Sequence, residues 1–301
     1  MLAIVIPYFK RTFFEVTLQS LANQTNQYFK VYIGDDASPE NPAKLLEKYR
    51  NKFSFKYYKF DKNIGAHALT KQWERCIDLI ENEEWIMILG DDDVLDKNLI
   101  QEFYKNLDRI NIEKINVIRF ASVVIDEHCQ QVSENFEHPV IETIADSFYR
   151  KFKGNSRSSL SEYVFSRSSY NDFHFKNYPL AYHSDDMAWF DFSTNKLIYT
   201  INNSVVKIRK TKWSISGDCS NALLKKTAIQ MFFTNLIYNY LYLFSKKQAI
   251  DILYGWEQKI KWDRSLSAHE WWFLVKNYIK KGTILDLFKL IRRILLTIFF
   301  I

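Results

Sequence analysis

The chain has 301 residues, 47% of them hydrophobic, with seven glycines and five prolines. That composition excludes a disordered or low-complexity protein and allows either one main domain with a helical appendage or two full domains. The formal net charge of +6 comes from acids and bases mixed along most of the sequence. This excludes a nucleic-acid polycation and favours anionic ligands or an anionic surface.

Leu2–Ile6 reads as a strand that follows Met1 directly, too short for a signal peptide and without its charged region. The protein is therefore expected in the cytoplasm. Arg11–Asn23 reads as a helix with Phe14, Leu18 and Leu21 on one face. The alternation continues with a strand over Phe29–Gly34, a helix over Asn41–Lys52, a strand over Phe55–Phe60 and a helix over Ala66–Ile80. A strand over Trp85–Leu89 precedes a helix over Lys97–Arg109, with Asp96 as its N-cap, and a strand over Asn116–Ile125. Such alternation predicts an α/β fold with a mostly parallel sheet, whose ligands sit at the carboxyl ends of the strands. The stretch Glu127–Asn177 is polar and aperiodic and reads as loops and short elements over the site. Ile198–Ile208 reads as a strand, and from Asn221 onward the pattern is helical.

Three segments fall at carboxyl ends: Pro7-Tyr8-Phe9, Asp35-Asp36-Ala37-Ser38 and Asp91-Asp92-Asp93. Three adjacent carboxylates repel one another, and a hard divalent cation, Mg²⁺ or Mn²⁺, relieves the repulsion. The competing reading is a solvated turn before a helix. The sequence has no GxGxxG after the first strand and no GxxxxGK[ST], so a nucleotide would need side-chain acids and a metal rather than a glycine-rich cradle. Asp36 is placed to accept a hydrogen bond from a pyrimidine N–H, with Tyr8 or Phe9 stacking on the base. An ordinary Asx-turn is the alternative. Cys76, Cys129 and Cys219 are far apart and suggest neither a disulfide framework nor a zinc site, and the six histidines show no ligand spacing.

In order along the chain, Ile4–Arg11, Ser20–Thr25, Gly34–Ser38, Asn63–Gly65, Leu89–Leu95 and His183–Trp189 resemble the successive motifs of family 2 glycosyltransferases, including their DXD region. The resemblance covers roughly the first two thirds of the chain. It implies a GT-A fold with a catalytic domain over 1–215, divided into a nucleotide half of about 1–125 and an acceptor half of about 126–215. A helical region over 216–301 would follow. It also implies an inverting, metal-dependent transfer from a nucleotide sugar, expected to be UDP-linked, to a glycan or lipid-linked acceptor of surface polysaccharide. Carried onto this chain, Pro7, Tyr8 and Phe9 wall the nucleotide pocket and Asp36 reads the uracil edge, with Asp35 supporting the turn. Asp92 holds the metal, with Asp93 and Asp91 beside it. Asp186 is the catalytic base, with Asp185 as the alternative. Gly90 stands where the first acid of the DXD motif often sits, and Lys71 faces the diphosphate or is a plain helix-surface lysine. Ser156–Tyr170, with Arg157, Glu162, Tyr163 and Arg167, is a guess for part of the acceptor cleft. The alternatives are an inactive nucleotide- or glycan-binding subunit of the same fold, and another nucleotide-sugar enzyme such as a nucleotidyltransferase.

The last segment, Ile284–Ile301, places Lys289, Arg292, Arg293 and Thr297 on one stripe of an otherwise apolar helix. Its uncharged end is too short to span a bilayer. The pattern suits a helix lying in the interface of the inner membrane face, or one docked on protein.

Overall fold

The computed structural model describes residues 1–194, 196–211 and 221–299. They form two compact units, Met1–Ala222 and Leu223–Ile301. The expected boundary at 215/216 lies outside the described residues.

In the first unit the elements are β1 (Leu2–Tyr8), α1 (Phe14–Ala22), β2 (Phe29–Asp35), α2 (Ala43–Glu47), β3 (Phe55–Lys59), α3 (Leu69–Ile77), β4 (Trp85–Ile88), β5 (Val94–Leu95) and α4 (Leu99–Ile112). There follow β6 (Val117–Ile125), β7 (Ile141–Thr143), α5 (Ile144–Phe152), β8 (Tyr163–Ser166), α6 (Arg167–Phe173), α7 (Ser184–Phe192) and β9 (Leu197–Arg209). Among the described residues nine strands join in one sheet of order β3-β2-β1-β4-β8-β6-β9-β5, with β7 on β9. β8 runs antiparallel to β4 and β6, and β5 and β7 run antiparallel to β9. The other six strands share one direction, so the sheet is mostly parallel. β1 and β4 are apolar on both faces because helices cover both sides. Phe14, Leu18 and Leu21 of α1 are buried, as their spacing predicts.

Two expectations are corrected. The polar stretch Glu127–Asn177 contains α5, α6 and two sheet strands, and β8 stands in the middle of the sheet. Four residues are too few to show a period, and neighbours on both sides supply the hydrogen bonds. Asp96 is not the N-cap of α4. That position is Asn98, and the Asp96 carboxylate instead takes the Val205 amide at 3.3 Å and pairs with Lys207 at 3.1 Å.

The second unit contains α8 (Ala222–Tyr240), α9 (Lys246–Ile260), α10 (Ala268–Lys281) and α11 (Ile284–Phe299). Ser245 with Gln248, and Ser267 with Glu270, close capping boxes at the starts of α9 and α10. Trp256, Tyr238 and Phe273 form the aromatic centre of this unit.

Candidate active site

The parallel registers bring Tyr8 opposite Asp35 and align β4 with β1, so the carboxyl ends of β1, β2 and β4 meet at one edge. At the end of β1, Tyr8 is fully buried. Its hydroxyl donates to the Glu40 carbonyl at 2.7 Å and its ring packs on Phe14. It has no face left for a base, which corrects the reading of Tyr8 as a pocket wall. Pro7 and Phe9 are partly exposed there.

At the end of β2, Asp35 holds the turn, accepting from the Ser38 amide at 2.7 Å and the Tyr57 hydroxyl at 2.6 Å. Asp36 accepts from the amides of Ile64 and Gly65, both at 2.8 Å, and pairs with Arg75. The Arg75 guanidinium lies over the Phe60 ring at 3.9 Å. A Cβ on Gly65 would come within 2.5 Å of the Asp36 carboxylate, so glycine is what lets this loop close over it. Oδ1 takes both the Ile64 amide and Arg75, whereas Oδ2 takes only the Gly65 amide and keeps a second lone pair, and the guanidinium adds donors beside it. Lys71 is exposed and pairs with Glu74 at 2.7 Å.

Beyond β4 the triplet divides its tasks. Asp91 reaches across to β1, where its carboxylate accepts from the amides of Phe9 at 2.9 Å and Lys10 at 2.8 Å. Asp93 accepts from the Arg209 amide at 2.8 Å and from Ser161. Arg209 also donates through Nε to the Asp92 carbonyl at 2.9 Å and lies over the Phe13 ring. Burial, reinforced by their mutual repulsion, pushes the carboxyls of Asp91 and Asp92 up to about 6 and that of Asp93 up to about 7.

The acids of α7 lie beyond the turn Leu160–Glu162. That turn touches the triplet through Ser161, which accepts the Gly90 amide at 3.0 Å. Arg157 bridges the buried Glu162 at 2.9 Å and Ser122 at 2.8 Å. A cavity of about 10 Å³, room for a single water, is lined by Arg157, Ser158, Tyr163, Lys151 and Asp186. Asp186 is 5% exposed. Lys151 Nζ donates to both of its oxygens at 2.6 and 2.7 Å, and His183 Nδ1 lies 2.6 Å from Oδ2. Burial alone would raise the Asp186 carboxyl, but Lys151 and His183 hold it well below the usual carboxylate range. Asp185 is only partly buried, and burial together with the Asp186 charge pushes it up to about 6.

Of the residues expected in the acceptor cleft, Tyr163 offers no exposed surface beside the small cavity and Arg167 is elsewhere. Tyr163 is buried and stacks on Trp189 at 4.1 Å. Arg167 is at the amino end of β4, where it donates to the Glu81 carbonyl at 2.7 Å, because β8 runs antiparallel and carries its last residues away from the acid edge. The sequence reading missed Arg75, Lys151, His183, Ser161 and Arg209 as parts of the site. Two of them left a trace, since Ser161 lies in the segment guessed for the acceptor cleft and His183 opens the motif His183–Trp189.

A divalent ion can be tested against this donor set. Among the described residues no three His, Cys, Asp or Glu side chains surround a common point. Asp91 is turned away to the β1 amides, so the triplet does not act as three ligands. Asp92 Oδ1 and Asp93 Oδ2 both flank Gly90, each 2.9 Å from where a Cβ there would stand. Two hard carboxylates with raised pKa values fit Mg²⁺ or Mn²⁺, which commonly take one or two carboxylates and fill the remaining positions with water and substrate phosphates.

Residues 3–197 match the profile of Glycosyl transferase family 2. The chain belongs to this family. Its mostly parallel sheet with flanking helices is the GT-A fold and is similar to the solved structure of S. aureus TarS. The structure of TarS residues 1–349 in complex with UDP-GlcNAc superposes with a TM-score of 0.63 at 15% identity, covering 94% of this chain and 81% of that one. The complex with UDP gives 0.59 at 15% identity, covering 85% and 70%. At that identity the likeness is one of fold. A curated relative, chondroitin synthase of Pasteurella multocida, is 43% identical over 58 residues, which is 19% of this chain and only 6% of that protein.

Proposed function

We propose that this family 2 glycosyltransferase moves a sugar from a UDP-sugar to a hydroxyl of a glycan or lipid-linked acceptor in surface polysaccharide synthesis, inverting the anomeric centre. The observation that carries the reading is the meeting of the acids that follow β2 and β4 at one edge beside the end of β1, with a second acid pair on α7 beyond the Leu160–Glu162 turn. The UDP and UDP-GlcNAc complexes of TarS support the donor class, and the name of the Pasteurella relative supports polysaccharide synthesis.

Asp36 and Arg75 recognise the uracil edge, with Phe9 and Pro7 beside the base. Asp92 and Asp93 would hold a divalent ion, which when bound supplies positive charge to the departing diphosphate. Asp91 fixes the Phe9–Lys10 backbone against the acid edge. The acceptor oxygen bonds to the anomeric carbon as the bond to the diphosphate oxygen breaks, and the nucleoside diphosphate leaves with that electron pair. The hydroxyl proton passes to a carboxylate. Asp185, partly exposed and raised towards neutrality, suits that task better than Asp186, whose lone pairs are held by Lys151 and His183. The roles expected of the two acids are thus exchanged in this proposal, with Asp186 anchoring the head of α7. A peripheral contact of 284–301 with the membrane belongs to the same proposal.

The test is a panel of nucleotide sugars with Mn²⁺, read first by thermal shift and then by release of the nucleoside diphosphate. A bound donor raises the apparent Tm with the logarithm of its excess over Kd. If UDP-sugars neither raise the Tm nor yield UDP with any glycan acceptor, the proposal fails.

A further inference from the structure

The last helix of the second unit presents a face that its own unit does not cover. At 3.6 residues per turn, Ile284, Phe288, Ile291 and Leu295 form one stripe of α11, and they are 76%, 64%, 41% and 47% exposed. The opposite side is packed. Leu290 is fully buried, and Arg293 donates to Glu257 at 2.9 Å and to the Tyr278 hydroxyl at 3.1 Å. The single basic stripe expected from the sequence is therefore split. Arg293 turns inward, and Thr297 donates to its carbonyl at 2.9 Å. Lys289 and Arg292 are exposed beside the apolar stripe and, among the described residues, neither forms an ion pair.

Exposed apolar residues flanked by two exposed cations match the boundary between acyl chains and anionic headgroups. A second copy of this chain matches it less well. A twofold contact presents the same patch from both sides, and sets Lys289 and Arg292 against their own copies or against the partner's apolar stripe. No helix among the described residues is long and apolar enough to cross a membrane. Lys289 and Arg292 also line a groove of about 490 Å³ with Tyr254, Tyr278, Asp251 and Asp286. Two carboxylates in the groove argue against a dedicated phosphate pocket.

We infer that α11 seats the protein on anionic bilayers, with Ile284, Phe288, Ile291 and Leu295 towards the acyl chains and Lys289 and Arg292 at the level of the lipid phosphates. Charge density rather than headgroup identity sets the affinity. The inference refines the membrane contact of the proposed function and is independent of the chemistry at the acid edge.

Flotation of the full chain with vesicles tests it. Binding is expected to vesicles of phosphatidylcholine mixed with phosphatidylglycerol, equally to mixtures with phosphatidylserine, and not to phosphatidylcholine alone. Inorganic phosphate should not compete. Neutralising both cations in K289Q/R292Q should weaken binding about 25-fold, at about fivefold per basic side chain near the surface. F288S/L295S should abolish it. All four positions are exposed, so both variants should keep the thermal midpoint and any donor-induced shift of the parent. Equal binding to neutral vesicles, or full binding by K289Q/R292Q, overturns the inference. So does a wild-type protein that ignores vesicles and forms a dimer that F288S/L295S dissociates. If vesicle binding behaves as expected while no nucleotide sugar is turned over, the proposed transfer fails and the surface stands.

Discussion

Replacing Lys151 by methionine isolates what holds the head of α7. The substitution keeps most of the aliphatic stem and removes the ammonium that donates to both oxygens of Asp186 at 2.6 and 2.7 Å. Removing one member of a buried ion pair costs about 3–5 kcal/mol, since the other charge stays buried. His183 remains 2.6 Å from Oδ2 and the Lys151 side chain is 25% exposed, so the lower end, about 3 kcal/mol, is expected here. Urea unfolding should show a lower midpoint with an unchanged slope. The Asp186 carboxyl is held below its unfolded value of about 3.9. The contribution of the pair is therefore complete above that pH and fades as the carboxylate is protonated, so wild type and K151M should converge as the pH falls below about 3.9. In a cycle with D186N, the double variant should be less destabilised than the sum of the singles by about 2 kcal/mol. Additivity within about 0.5 kcal/mol would show that the two side chains do not depend on one another, and would refute the account of Asp186 as an anchored group.

Other outcomes follow from the same geometry. D185N should keep its stability and donor binding but lose about 10²- to 10⁴-fold in kcat, while D186N should lose stability as well; the reverse pattern would restore Asp186 as the base. With Asp185 pushed up to about 6, kcat/KM should fall below about pH 6 as the base takes a proton, and this limb should not move with metal concentration, as a limb from Asp92 and Asp93 would. Gly90→Ala places a methyl group 2.9 Å from oxygens of Asp92 and Asp93, so the Mn²⁺ concentration for half-maximal activity should rise; an unchanged metal titration counts against these two ligands. Gly34→Ala drives a Cβ into the Cys76 sulfur and should cost about 1–3 kcal/mol of overpacking. Cys76→Ala in the same chain should recover part of that loss, as thermal unfolding of the single and double variants will show.

The sequence by itself determined the α/β frame and the edge at which ligands meet. Apolar runs such as Leu2–Ile6 and Trp85–Leu89 have no polar face and must be covered on both sides, so parallel pairing with crossover helices follows from local pattern alone. The acids that follow β2 and β4 are then carried to one edge by topology, whatever their partners. The placement of β8 was decided elsewhere, because a four-residue strand has no period of its own and is defined by β4 and β6 on either side. The same is true of charge. Asp185 and Asp186 are neighbours of the same type in the sequence, and they differ because Lys151, 35 residues away from Asp186, arrives on a separate helix and with His183 holds one of them. Arg75 comes to Asp36 across 39 residues in the same way. A pKa is set by burial and by charges within a few ångströms, and those distances exist only once the chain has folded.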